Sequence, residues 1–148
     1  GHSLEQYTIH AGRSIPNIWS IGGFSLSENT AYACEPFVTT EQGGGFVRNG
    51  KIKNIFAINS RKKTKNDEAD KLLNFIWENF NMLPFALRWI TKEWEEKEAR
   101  ELLDILIKKK AVQAYPVLIE VNEQRVAQAE HTFIPSESGV TVTTKALE

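Results

Sequence analysis

Apolar residues in this chain follow a two-residue period up to about residue 58, helical spacing over the next stretch, and a two-residue period again after Tyr115-Pro116. The two patterns are not interchangeable. Side chains alternate faces along a strand, whereas in a helix they return to one face about every 3.6 residues. The pattern predicts an α+β fold in which a helical segment interrupts a β framework. The framework is assigned to residues 1–58 and 116–148, and the helical insert to residues 59–115.

Tyr7-Thr8-Ile9-His10 reads as a short strand that ends in a turn at Ala11-Gly12, and residues 13–30 read as a loop. Ala31 to Val38 is an apolar run that reads as one buried strand with Glu35 inside it. Asn49-Gly50 lies between two strand-like runs and predicts a hairpin, because this dipeptide favours positive φ. In the insert, Asn66 or Asp67 is placed to cap a helix with Leu72, Leu73, Ile76, Trp77 and Phe80 on its apolar face. A short helix is expected over Pro84 to Ile90. A third runs from about Glu95 to Lys109, with an acidic start and a lysine-rich end that suit the helix dipole. Beyond Tyr115-Pro116, Val117 to Val121 and Arg125 to Gln128 are expected to flank a turn at Asn122-Glu123-Gln124. The second arm is expected to continue through Ile134. A last strand covers Val140 to Thr143.

Composition excludes several classes of function. Hydrophobic residues make up 41% of the 148 and charged residues 25%, as in ordinary globular domains. A net charge of -1 gives no global pull toward nucleic acid or membranes. No apolar run is long enough to span a bilayer. The single Cys34 precludes an internal disulfide and fits a reducing, cytoplasmic setting. The opening at Gly1-His2 and the Leu147-Glu148 close suggest a processed or expressed piece of a longer chain.

Few residues here have the chemistry for a site. The histidines are His2, His10 and His131. Glu35 and Glu130 lie in strand-like apolar stretches, where a carboxylate must be paired, hydrogen-bonded, bound to a cation or turned to solvent. Spacing alone does not choose among these.

The segment from Gly1-His2 through Ile9-His10-Ala11-Gly12 to Pro16 resembles the Gly-His…Ile-His-Ala-Gly…Pro segment of type II methionine aminopeptidases. Tyr32-Ala33-Cys34-Glu35-Pro36-Phe37 resembles a strand of that family, as does Ala127-Gln128-Ala129-Glu130-His131-Thr132. Leu83 to Trp89 and Tyr115-Pro116-Val117-Leu118 resemble its inserted helical subdomain and the segment after it. The matches keep their order over nearly the whole chain, and the Glu-Pro-Phe and Tyr-Pro-Val-Leu variants resemble the archaeal branch. The resemblance implies the C-terminal half of a pita-bread (creatinase/aminopeptidase) fold with a winged-helix-like insert. The implied activity is metal-dependent removal of the N-terminal methionine from nascent polypeptides.

Carried onto this chain, the resemblance implies that His2 and Glu35 ligate one metal and Glu130 bridges two. It implies that His10 contacts the scissile peptide and that Tyr115 lines the methionine pocket. His131 is expected on the opposite face of its strand, without a catalytic role. Imidazole and carboxylate ligands suit two divalent ions such as Co, Mn, Fe or Zn. The family's remaining ligands, two Asp and one His, belong to its N-terminal half and have no match here. The fragment alone is therefore expected to be inactive, and half of such a fold is expected to expose apolar surface that a partner would cover. Other readings are a non-catalytic interaction module of the same fold, a proline-directed aminopeptidase, and a winged-helix nucleic-acid-binding domain. The last is disfavoured because Glu93, Glu95, Glu96, Glu98 and Glu101 lie close to the lysines.

Overall fold

The structure is a computed structural model that describes residues 1–145. Ala146–Glu148, which include the Leu-Glu close and the end of the expected 116–148 segment, lie outside the described residues. In chain order the elements begin with strands β1 (His2–Leu4), β2 (Ala31–Cys34), β3 (Phe37–Thr39) and β4 (Val47–Ile58). Helix α1 (Asp67–Phe80), strand β5 (Phe85–Ala86), helix α2 (Leu87–Ile90) and helix α3 (Glu96–Lys108) follow. Strands β6 (Val112–Glu120), β7 (Val126–Gln128), β8 (His131–Ser136) and β9 (Gly139–Val142) complete the order. Helices thus interrupt strands, as the change of period predicts.

The chain forms two compact units. One combines Gly1–Phe46 with the chain from Glu120 onward, and the other is Val47–Ile119. The first holds an antiparallel sheet in the order β1-β2-β8-β9 and a separate β3–β7 pair. The second holds a sheet in the order β5-β4-β6 together with the helices.

The helical unit has a dense core. Leu72 and Ile76 of α1, Phe85 of β5, Ile90 of α2, Leu103 and Leu106 of α3 and Val112 of β6 are almost fully buried in one cluster. Their spacing on α1 and α3 gives each helix one apolar face, which is why both helices match their expected spans to within a residue or two. Asn66 starts α1, and its side-chain oxygen accepts from Ala69 N at 2.9 Å. Three acidic residues fill the first turn of α1, where the helix dipole favours negative charge. Asn66→Ala should destabilise the helical unit by about 1 kcal/mol, the usual cost of losing such a cap. A lowered urea midpoint with an unchanged denaturant slope would show it.

The strand unit buries far less. Tyr32 and Ala33 are its buried apolar residues among those described, with Tyr32 stacked on Phe133 at 5.7 Å. Ile18, Trp19 and Ile21 stand 75%, 85% and 89% exposed. The expected apolar exposure is therefore present, and it lies in the 13–30 loop as well as on β3, where Val38 is exposed.

Four local expectations differ from the structure. First, Tyr7 to His10 is not a strand. Tyr7 has φ 58°, and Glu5 and Thr8 exchange two 3.0 Å backbone bonds around a tight turn, so the strand lies earlier, at His2–Leu4. Second, the Ala31–Val38 run breaks at Glu35-Pro36 into β2 and β3, which belong to different sheets. Pro36 has no N–H to give to a ladder. Third, Asn49-Gly50 forms no hairpin: β4 runs straight through it, and neither residue has positive φ. Gly50 instead permits a close approach, because a Cβ there would lie 2.8 Å from Val117 O. Fourth, Val117–Glu120 and Val126–Gln128 are not arms of one hairpin. The first belongs to β6 beside β4, and the second pairs with β3. The continuation to Ile134 is also interrupted, at Ala129-Glu130 between β7 and β8. Over Pro84 to Ile90, the two-residue strand β5 precedes a single helical turn.

The turn at 122–124 is present, and it is tied to a buried carboxylate. Glu120 is 3% exposed. Its Oε1 accepts from Gly44 N at 2.5 Å and Gly45 N at 3.2 Å, and its Oε2 accepts from Asn122 N at 2.8 Å and Gln124 N at 3.2 Å. One side chain thereby joins the glycine-rich loop to the turn after β6. Gly44 has no room for a side chain, since a Cβ would collide with Val121.

Candidate metal centre

His2 and Glu35 form the heart of the site. His2 Nε2 lies 3.0 Å from Glu35 Oε1, with both side chains mostly buried. Strand pairing explains the meeting. β1 and β2 place His2 opposite Ala33, and Glu35 lies two positions further on, on the same face. His2 Nδ1 faces Ser3 O at 3.3 Å, where the ring nitrogen can only donate. Nε2 is the nitrogen turned toward the Glu35 carboxylate.

His10 joins them from the loop after the Glu5–Thr8 turn. Its ring centroid is 4.2 Å from that of His2, tilted by 54°. The loop is held by Ser3, which is itself buried. Ala11 N donates to Ser3 O, Ser3 N donates to Arg13 O and Arg13 N donates to Ser3 Oγ, each at 3.0 Å. Ser3 thus carries no site chemistry but fixes the path that brings His10 beside His2. His10 itself is exposed.

Glu130 is placed differently. Cys34 pairs with His131, and Phe37 pairs with Gln128. The same register carried through the break sets Glu130 opposite Glu35, on the face that holds His2. Ala129 N donates to Pro36 O at 3.2 Å in keeping with that register. Yet the Glu130 side chain is exposed, and among the described residues no three His, Cys, Asp or Glu side chains converge as a metal-holding group. Two carboxylates directly opposite repel each other unless a cation lies between them. The donor set therefore fits one corner of a divalent-metal site, an imidazole with a carboxylate, and Glu130 is in register to extend it.

Gln128 is a site residue that the sequence reading passed over. Its Nε2 donates to Glu35 Oε2 at 3.2 Å and fixes the carboxylate from β7. The available signal was its position two residues before Glu130, hence on the same strand face. His131 lies on the other face with Cys34, and its Nδ1 lies 3.0 Å from Thr144 Oγ1. Tyr115 belongs to the helical unit, where it is half-buried and its hydroxyl accepts from Gln113 Nε2 at 2.6 Å.

No family model matches the chain. Among curated proteins it is 39% identical over 150 residues to a methionine aminopeptidase of Saccharolobus solfataricus, covering 99% of this chain and 49% of that protein. It is 37% identical to the methionine aminopeptidase of Methanocaldococcus jannaschii, covering 98% of this chain and 48% of that one. For Thermococcus kodakarensis the identity is 38%, with 97% and 48% covered. The chain thus spans about half the length of the curated relatives it matches. Among solved structures, a thermophilic Arx1 superposes with a TM-score of 0.78 over 99% of this chain and 40% of that one. At 16% identity that likeness shows a shared fold. Across nearly all of its length, then, the chain is a homologue of one half of the methionine aminopeptidases.

Proposed function

We propose that this chain supplies one side of a two-metal aminopeptidase site that removes the N-terminal methionine from newly made polypeptides. The observation that carries the reading is the meeting of His2 with Glu35 on one sheet face, with His10 of the following loop beside His2. The strand unit is then half of a pita-bread fold. The functional division is residues 1–58 with 116–148 as the catalytic half-domain, and 59–115 as a winged-helix-like insert. The setting is cytoplasmic. No helix among the described residues is long and apolar enough to cross a membrane.

Each residue has a distinct task in this reading. His2 Nε2 and Glu35 Oε1 would hold one divalent ion, and Glu130 would reach across from the facing strand to share it with a second. When bound, such a pair of ions lowers the pKa of a water and polarises a carbonyl. Gln128 holds the Glu35 carboxylate in orientation through its 3.2 Å bond. His10, exposed beside His2, donates a hydrogen bond to the oxygen on which charge develops as the peptide carbonyl is attacked. Tyr115 contributes to the methionine pocket. The remaining ligands would come from outside these residues.

A turnover assay on a Met-Ala-X peptide with added Mn or Co tests the reading. This polypeptide as the sole enzyme should show no turnover, and mixing it with the complementary half of a methionine aminopeptidase should restore it. Activity of the chain alone would refute the division of ligands. No activity from the combined halves, once they are shown to associate, would leave a non-catalytic interaction module as the function.

A further inference from the structure

We propose that Asn17 is a positioning residue for the metal centre, fixing the backbone on which Glu35 stands. This role rests on the aminopeptidase reading, in which Glu35 is a ligand. Glu35 and Pro36 form the break between β2 and β3. Strand pairing holds the chain up to Cys34, opposite His131, and resumes at Phe37, opposite Gln128. Within the break Ala129 N donates to Pro36 O at 3.2 Å, and Pro36 has no N–H with which to add a bond of its own. The direction of the Glu35 side chain therefore depends on where Phe37 begins the next strand.

Asn17 sets that point. Its Oδ1 accepts from Phe37 N at 2.7 Å, and its Nδ2 donates to Phe37 O at 2.8 Å. The flat carboxamide thus pairs with both backbone groups of one residue, as a neighbouring strand would. Aspartate, of the same size, offers only acceptors and would set an oxygen against Phe37 O. The segment that delivers Asn17 runs beside β1. Ser3 N donates to Arg13 O at 3.0 Å, His2 forms a bridge with Ser14, and Ile15 N donates to Gly1 O at 2.7 Å. Pro16 then restricts the backbone in the last step before Asn17. Arg13–Asn17 accordingly joins the two sides of the site. At one end Arg13 is bonded to Ser3, which holds the His10 loop, and at the other Asn17 holds the strand that follows Glu35.

Both Asn17 bonds are exposed to solvent, where water competes for the same groups, so their loss should alter overall stability little. Precision is a different matter. Ligand side chains must be held to within about 0.5 Å of their working geometry. Removing groups that only orient ligands costs about 10- to 100-fold in metal affinity or activity. Gln128 holds the Glu35 carboxylate, and Asn17 holds the backbone behind it. Because Phe37 lies opposite Gln128, a loosened Phe37 weakens both holds together.

Calorimetric titration with Mn(II), on this chain combined with the complementary half of a methionine aminopeptidase, tests the proposal. Asn17→Ala should weaken metal affinity about 10-fold and speed hydrogen exchange at the Phe37 amide. The melting temperature, and the KM for a Met-Ala-X peptide at saturating metal, should stay close to the parent values. Asn17→Asp should lose affinity as well, although it keeps an acceptor for Phe37 N. Ser25→Ala, exposed in the same loop, should match the parent. A merely structural role would lower the melting temperature and leave the metal affinity of the folded protein alone. That result overturns the proposal, as does equal loss of affinity in Ser25→Ala. If Asn17→Ala does not fold, Asn17→Asp decides in its place. Parental affinity in the Asn17 variants, beside metal binding and turnover by the unsubstituted pair, removes this role alone. An unsubstituted pair that binds no metal removes the aminopeptidase reading along with it.

Discussion

Glu35→Ala, in this chain combined with the complementary half of a methionine aminopeptidase, is expected to lower kcat/KM on a Met-Ala-X peptide by at least about 100-fold. Outer groups that merely orient a ligand already cost about 10- to 100-fold when removed from metal sites. Glu35 is proposed as a ligand itself, 3.0 Å from the other ligand that this chain brings to the same ion. Its loss removes one negative charge and one oxygen donor together. His2→Ala should cost as much, and the double substitution little more, because groups that hold one ion act as a unit. Gln128→Ala should fall short of both, since it acts only through Glu35. The thermal melt of the substituted protein reports separately what the lost contacts with His2 and Gln128 contribute to stability. Measured metal content distinguishes lost binding from lost chemistry. Wild-type turnover in Glu35→Ala would remove Glu35 from the site.

The parts of this architecture that were legible in sequence are those decided locally. α1 and α3 have one apolar face each, and α1 has its cap at Asn66, so propensity, pattern and packing agree. The misread parts were decided by partners distant in the chain. Asn49-Gly50 carries the residues of a tight turn, but pairing along β6 keeps it extended, and the same glycine gives Val117 room to approach. Val126 is drawn to Thr39 of β3 rather than back to β6, a choice that no local pattern encodes. The site divides in the same way. His2, His10 and Glu35 stood out by residue type, and the structure brings them together. Gln128 did not stand out, because its role exists only through strand register. Glu130 is expected as a ligand; its register agrees, and its side chain is exposed.

Glu120→Ala should open the strand unit at the loop around Gly43-Gly44-Gly45. Hydrogen exchange at the amides of Gly44, Gly45, Asn122 and Gln124 should rise to the rate of unprotected loops. Those four N–H groups all donate to one carboxylate, two to each oxygen. Alanine leaves every one of them without its acceptor, and hydrogen bonds to a charged group are worth more than neutral ones. Glutamine is a poor substitute. Its single oxygen serves one pair, and its NH2 turns donors toward donors at the other, so Glu120→Gln should also lose protection at one pair of amides. The same geometry sets a pH dependence. Burial pushes the Glu120 carboxyl upward, but the four backbone donors outweigh it and hold the group below its ordinary value of 4.5. A carboxylate with a depressed pKa in the folded chain gives stability that is fully present above the unfolded value. That stability is lost as pH falls through the folded one. The difference in melting temperature between parent and Glu120→Ala should therefore be constant near neutrality and shrink below about pH 4.5. A gap that stayed constant from pH 7 to pH 3 would mean that Glu120 holds its loop without its charge.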